Sequence, residues 1–144
     1  MEMNSFKVRF MAKSENESFA RMIVSAFMIN MNPTYEEIED VKMAVSEAVT
    51  NSIVHAYKSS DEEVELKCNI EDNCLNIEVI DEGVGIADIE NAMEPFFTTK
   101  ADEERSGMGF SFMEAFMDEL EVYSELNKGT RVFMKKYIKG EVNE

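Results

Sequence analysis

Leu75-Asn76-Ile77-Glu78-Val79-Ile80-Asp81-Glu82-Gly83-Val84-Gly85 reads as a strand that runs straight into a glycine turn. Leu75, Ile77 and Val79 share one phase of the strand and form its buried face. Asp81 falls on the same phase, so it leaves the sheet on the buried side. A buried carboxylate is costly without donors, which makes this position ask for hydrogen-bond partners. The glycines that follow allow a close approach to the backbone. Taken alone, Asp-x-Gly is also an ordinary way to end a strand.

Working outward, residues 62–70 alternate in the same manner and join 74–81 through Glu71-Asp72-Asn73. Residues 5–11 set Phe6, Val8 and Phe10 against Lys7 and Arg9, and strands near 119–125 and 130–138 flank the turn Asn127-Lys128-Gly129. Helical spacing fills the intervals. Ser14 with Glu17 forms a capping-box pattern before a first helix with the stripe Phe19, Met22, Ile23, Ala26 and Phe27, ended by Asn32-Pro33. Thr34 with Glu37 offers a second capping box. The helix it opens runs to about Tyr57, with Ile38, Val41, Val45, Ala48 or Val49, and Ser52 or Ile53 inward. A short helix is expected over 87–93, and a longer one over about 108–118 through Phe110, Met113, Phe116 and Met117. Three main helices on one face of a mainly antiparallel sheet define a two-layer α/β sandwich, a single domain spanning 1–144.

The formal net charge is −16 over 144 residues. Such a chain repels a nucleic-acid backbone, and no basic stripe offsets this. No apolar run approaches the ~18 residues of a membrane span. Met1 to Phe10 lack the apolar stretch of a signal peptide, so a cytoplasmic protein is expected. Cys68 is in phase with Val64 and Leu66, while Cys74 is in phase with Asn76 and Glu78. One thiol therefore points in and the other out, and both are expected free.

Five of the six glycines fall in three clusters: Gly83 with Gly85, Gly107 with Gly109, and Gly129 before Thr130. Upstream, Glu47 and Asn51 lie one helical turn apart and project to one side. Asn is a poor helix-interior residue, and here it sits between Val49 and Ile53. Its carboxamide oxygen suits Mg²⁺, and a carboxylate one turn away can accept a proton. A solvated helix face explains the pair equally well in isolation. Ser106-Gly107-Met108-Gly109 precedes an apolar-periodic helix, the arrangement of an anion site at a helix N-terminus. Phe96-Phe97-Thr98-Thr99-Lys100 offers two hydroxyls and an ammonium suited to a lid over a triphosphate. An adenine amine is a fitting partner for Asp81. Each motif has a bland reading, but their shared order points to a nucleotide pocket.

These residues resemble the ATPase family shared by histidine kinases, DNA gyrase and the chaperone Hsp90, which folds as a Bergerat-type α/β sandwich with ATP between the helices and a lid. Ser46 to Asn51, Phe97 to Lys100, Glu104 to Phe110, and Met113-Glu114 with Phe116-Met117-Asp118 are similar, more narrowly, to the sporulation anti-sigma F factors of endospore-forming bacteria. The likeness covers nearly the whole chain, including Asn16 to Phe27. It implies homodimers that hold sporulation sigma factor F inactive and, as serine kinases, use ATP to phosphorylate a small anti-anti-sigma factor. Neither nucleic acid nor membrane is an implied partner.

By the same resemblance Glu47 is the general base, and Asn51 is the Mg²⁺ ligand at the ATP or ADP site. Asp81 recognises adenine, Gly83 and Gly85 shape its pocket, and Thr130 lies near the base. Thr98, Thr99 and Lys100 belong to the lid, and Ser106, Gly107, Met108 and Gly109 hold phosphates. Arg21 resembles an exposed partner-contacting arginine. Arg105 touches either the γ-phosphate or the incoming substrate. Ala56 stands where glycine is expected after His55, and Ala101 where proline is expected after the lid lysine. Alternative readings are a nucleotide-gated sigma-binding module without transferase activity and a detached histidine-kinase-type catalytic domain. Binding alone does not need Glu47, and the latter needs a phosphoacceptor histidine, whereas the lone His55 falls in the nucleotide helix.

Overall fold

Alternating burial along five segments produces the sheet. The computed structural model describes residues 3–56, 62–85 and 109–140, without the side chains of 55 and 56. Strands β1 (Met3–Met11), β2 (Glu63–Glu71), β3 (Cys74–Asp81), β4 (Glu119–Glu125) and β5 (Gly129–Tyr137) run in the order β1-β2-β3-β5-β4. Every neighbouring pair is antiparallel. Helices α1 (Glu15–Met28), α2 (Tyr35–Asn51) and α3 (Gly109–Phe116) make the second layer, with α2 packed against both others. Inward residues of β2, β3 and β5, among them Leu66, Ile77 and Met134, meet Val24, Val45 and Met113 of the helices in one buried cluster. The expected two-layer α/β sandwich is the observed fold. The expected helix over 87–93 and the polar strip 96–106 lie outside the described residues.

Both cysteines are free. Cys68 points inward, where burial pushes its thiol up to about 12, and Cys74 lies on the other face.

Two details of α1 differ from expectation. Ser14 is itself in helical conformation and makes no side-chain cap. Glu17, the second half of the expected box, pairs instead with Arg21 at 3.1 Å. The Asn16 amide takes over the anchoring by donating to the Met11 carbonyl at 2.8 Å. The buried stripe is Ala20, Val24 and Met28, flanked by Ile23 and Phe27, while Phe19 and Met22 are 43% and 58% exposed. Residues 19–28 are apolar around more than half the helix, so periodicity alone does not choose the inward arc. Edge-on aromatic pairs, Phe6 with Phe27 and Phe10 with Phe19, then join β1 to α1.

The second capping box forms as expected. Thr34 accepts from the Glu37 N–H at 3.1 Å, and Glu37 accepts from the Thr34 N–H at 2.9 Å. The same carboxylate also accepts from the N–H groups of Lys139 at 2.7 Å and Gly140 at 3.2 Å. Glu37 therefore ties the end of the chain to the start of α2. Burial pushes its carboxyl up, but the donors of Thr34, Lys139 and Gly140 outweigh that and hold it below its ordinary value. The folded carboxyl is thus the stronger acid. Its contribution is present above the unfolded pKa and is lost as pH falls through the lowered value. Glu37→Gln is expected to cost about 1–2 kcal/mol at neutral pH in urea unfolding, with the gap to wild type closing below about pH 4.

Candidate active site

The last turns of α2 and the end of β3 build the site. Val41, Ala44, Val45, Ala48 and Val49 bury the inward stripe of α2, and this carries Glu47 into the interior, 5% exposed. Asn51, one turn on, is the last α-helical residue and is half-buried. The helix then widens into a π-helical turn, Ser52–Ala56, where an uninterrupted helix to about Tyr57 was expected. At the junction the Ser52 N–H is shared between the Ala48 and Val49 carbonyls.

Asp81 closes β3 and is 5% exposed. Its Oδ2 accepts from the Ser52 hydroxyl at 2.8 Å, and its Oδ1 accepts from the Gly83 N–H at 3.0 Å. Thr130, its cross-strand partner on β5, adds a backbone N–H. Burial pushes the Asp81 carboxyl above its ordinary value, and these three donors pull against it. The Thr130 hydroxyl is 2.8 Å from that of Ser124, which fixes the wall beside Asp81.

The glycines have a packing role that their spacing did not reveal. Gly85 has φ +76°, and a Cβ there would strike the Glu125 carbonyl. The adjacent Val84 carbonyl accepts from the Asn127 N–H at 2.7 Å, so the turn after β3 nests on the β4–β5 hairpin. Gly129 of that hairpin has φ +107° and faces the Asp81 carbonyl at equally close range. Gly129→Ala combines a left-handed backbone with a backbone clash, and is expected to lower stability by about 3 kcal/mol or more in thermal or urea unfolding.

The structure thus joins Asp81, Gly83 and Thr130 directly, and Asn51 through its neighbour Ser52. Glu47 lies one turn back along α2. Gly109 opens α3, whose far end is pinned where Lys136 donates to the Phe116 carbonyl at 2.7 Å and pairs with Asp40 at 3.5 Å. Arg21 sits on α1, its side chain 41% exposed and paired with Glu17, apart from the Asp81 network. Thr98, Thr99, Lys100, Arg105, Ser106, Gly107 and Met108 lie outside the described residues, as does the His55 side chain. Ser52 was placed on the buried stripe but not singled out. A hydroxyl on an otherwise apolar inward stripe needs a partner, and that was the available signal.

A sandwich with a buried strand-end aspartate beside a carboxylate–carboxamide helix turn defines a class. The chain belongs to the histidine kinase-like ATPase domain family, whose description matches residues 10–136. Its relatives narrow this. It is 57% identical over 133 residues to the anti-sigma F factor of Clostridium acetobutylicum, covering 92% of this chain and 93% of that one. It is 56% identical over 135 residues to the anti-sigma F factor of Caldanaerobacter subterraneus subsp. tengcongensis, covering 94% of each. The RsbU and RsbW domains of Rv1364c from Mycobacterium tuberculosis superpose with TM-score 0.69 at 17% identity, over 94% of this chain and 32% of that one. The catalytic domain of histidine kinase ThkA superposes with TM-score 0.58 at 16% identity, over 96% and 97% of the two chains. At such identities the structural likeness is one of fold. Among the described residues no helix is long and apolar enough to cross a membrane.

Proposed function

We propose that this chain is an anti-sigma factor and protein-serine kinase. It binds Mg·ATP or ADP where α2 meets β3, transfers the γ-phosphoryl group to a serine of an anti-anti-sigma factor, and holds sporulation sigma factor F inactive as a cytoplasmic homodimer. The carrying observation is the buried Asp81 carboxylate, presented by Ser52, Gly83 and Thr130 next to the α2 turn that bears Glu47 and Asn51. Similarity to anti-sigma F factors supports the choice of partner.

In this reading Asp81 accepts a hydrogen bond from the adenine amine, and Thr130 lines the base. Gly83 and Gly85 hold the turn that shapes the base pocket. The Asn51 carboxamide oxygen is a hard donor suited to Mg²⁺. Nucleotide phosphate oxygens and waters would supply its other ligands. Bound Mg²⁺ supplies charge neutralisation on the triphosphate. Glu47 takes the proton of the attacking serine hydroxyl. Thr98, Thr99 and Lys100 cover the triphosphate. Ser106, Gly107, Met108 and Gly109 hold phosphates, and Arg105 meets the γ-phosphate or the substrate. Against a net charge of −16, those cationic side chains and the metal make the site hospitable to phosphate. Arg21 contacts the protein partner, and the edge strand β1 is the surface for a second copy.

Purified chain with Mg²⁺, γ-labelled ATP and the anti-anti-sigma factor of the same organism is expected to place label on a substrate serine. No label, with ATP binding verified, overturns the kinase and leaves a nucleotide-gated binder to be tested by sigma-factor capture.

A further inference from the structure

We infer that Ser52 is a positioning residue that sharpens purine specificity by fixing the orientation in which the Asp81 carboxylate accepts a hydrogen bond. The inference rests on the reading of Asp81 as the contact to the base. Ser52 is 3% exposed, and its hydroxyl donates to Asp81 Oδ2 at 2.8 Å. A serine hydroxyl has one hydrogen, so once that is committed Ser52 shows only lone pairs to anything else. Gly83 holds the other carboxylate oxygen at 3.0 Å. Donors on both oxygens lock the carboxylate in one orientation. A ligand that reaches this carboxylate must bring a donor. A 6-amino purine does so, whereas a 6-oxo purine sets lone pairs against lone pairs.

The backbone supports the assignment. Ser52 opens the π-helical turn, and that turn packs on β3 and β5, the two strands that carry Asp81 and Thr130. Widened turns of this kind recur at functional sites. Without the hydroxyl, Oδ2 keeps an open lone pair and the carboxylate is held by backbone donors alone. The purine amine then meets a less firmly fixed acceptor, while the sugar and phosphate contacts are untouched.

The test is calorimetric titration of ADP and inosine diphosphate, which differ at the 6-position of the purine, into wild type, Ser52→Ala, Ser52→Cys and Ser52→Thr. Wild type is expected to prefer ADP. Ser52→Ala is expected to weaken ADP about tenfold and inosine diphosphate by no more than about twofold, so the preference falls. Ser52→Thr keeps the hydroxyl and restores the preference. Ser52→Cys, a near-isosteric weak donor, gives an intermediate ratio and answers the question even if the alanine variant does not fold. Equal weakening of both nucleotides overturns the role of Ser52 and leaves Asp81 as the base contact. A wild type that binds the two nucleotides equally, or neither, overturns the Asp81 reading and this inference with it.

Discussion

Glu47→Gln is expected to reduce phosphoryl transfer by about 10²- to 10⁴-fold while nucleotide affinity stays within about twofold of wild type. Glu47 is buried on the inward side of α2, one turn before Asn51. Glutamine preserves the length and shape of the side chain and one carbonyl oxygen, so packing is retained. It cannot accept a proton at neutral pH, so on the proposed reading the step that deprotonates the substrate serine loses its base. Binding of ADP and capture of sigma factor do not require that proton and persist. Glu47→Asp keeps the carboxylate but withdraws it by one methylene, and a misplacement of about 1 Å costs on the order of 10²-fold. The pair of variants separates base chemistry from packing, read by single-turnover label transfer beside calorimetric ADP titration. Transfer that survives Glu47→Gln removes Glu47 from the base role, while a parallel loss of ADP binding makes it a structural or binding residue.

The legible parts of this molecule are those governed by local periodicity. The strands emerge because alternation such as Leu75, Ile77, Val79 and Asp81 has only one phase that buries apolar side chains. The same phase carries Asp81 inward, and the structure buries it. Thr34 and Glu37 form their reciprocal cap because both groups lie within one turn.

What escaped was set by distant chain. The arc of α1 that turns inward is chosen by where β1 and β2 lie, since the helix is apolar on too many sides to choose for itself. The Ser14 box does not form because Ser14 takes up helical rather than extended backbone, which leaves its side chain without a capping hydrogen bond. Gly85 and Gly129 are needed for approaches to Glu125 and Asp81 that no local window contains. The contacts from Glu37 to Lys139 and Gly140 join residues 102 and 103 positions apart. Ser52 sat on the expected stripe, yet its partner lies across the site on β3.

Asp81→Asn is expected to weaken ADP by about 10²-fold or more, although it is nearly isosteric. The carboxylate meets a donor at each oxygen, the Ser52 hydroxyl at 2.8 Å and the Gly83 N–H at 3.0 Å, with the Thr130 N–H as a third. An amide has one oxygen and one NH₂ group. Whichever way it turns, the NH₂ displaces one of these acceptor contacts. Toward Gly83 it opposes a backbone donor that cannot rotate. Toward Ser52 it forces the hydroxyl to reverse and become an acceptor. The second orientation is the less costly, and it leaves the NH₂ on the side that Ser52 guards. On the proposed reading, an adenine amine then meets a donor where it requires an acceptor. The nucleotide loses an interaction and gains a repulsion, which is why the effect exceeds that of deleting one neutral hydrogen bond. Removal of a buried charge partly offsets the misplaced donor in folding, so the loss of stability is expected to be the smaller effect, about 1–2 kcal/mol by urea unfolding. ADP affinity that survives Asp81→Asn would show that the base lies elsewhere and that Asp81 serves the β3–β5 junction alone.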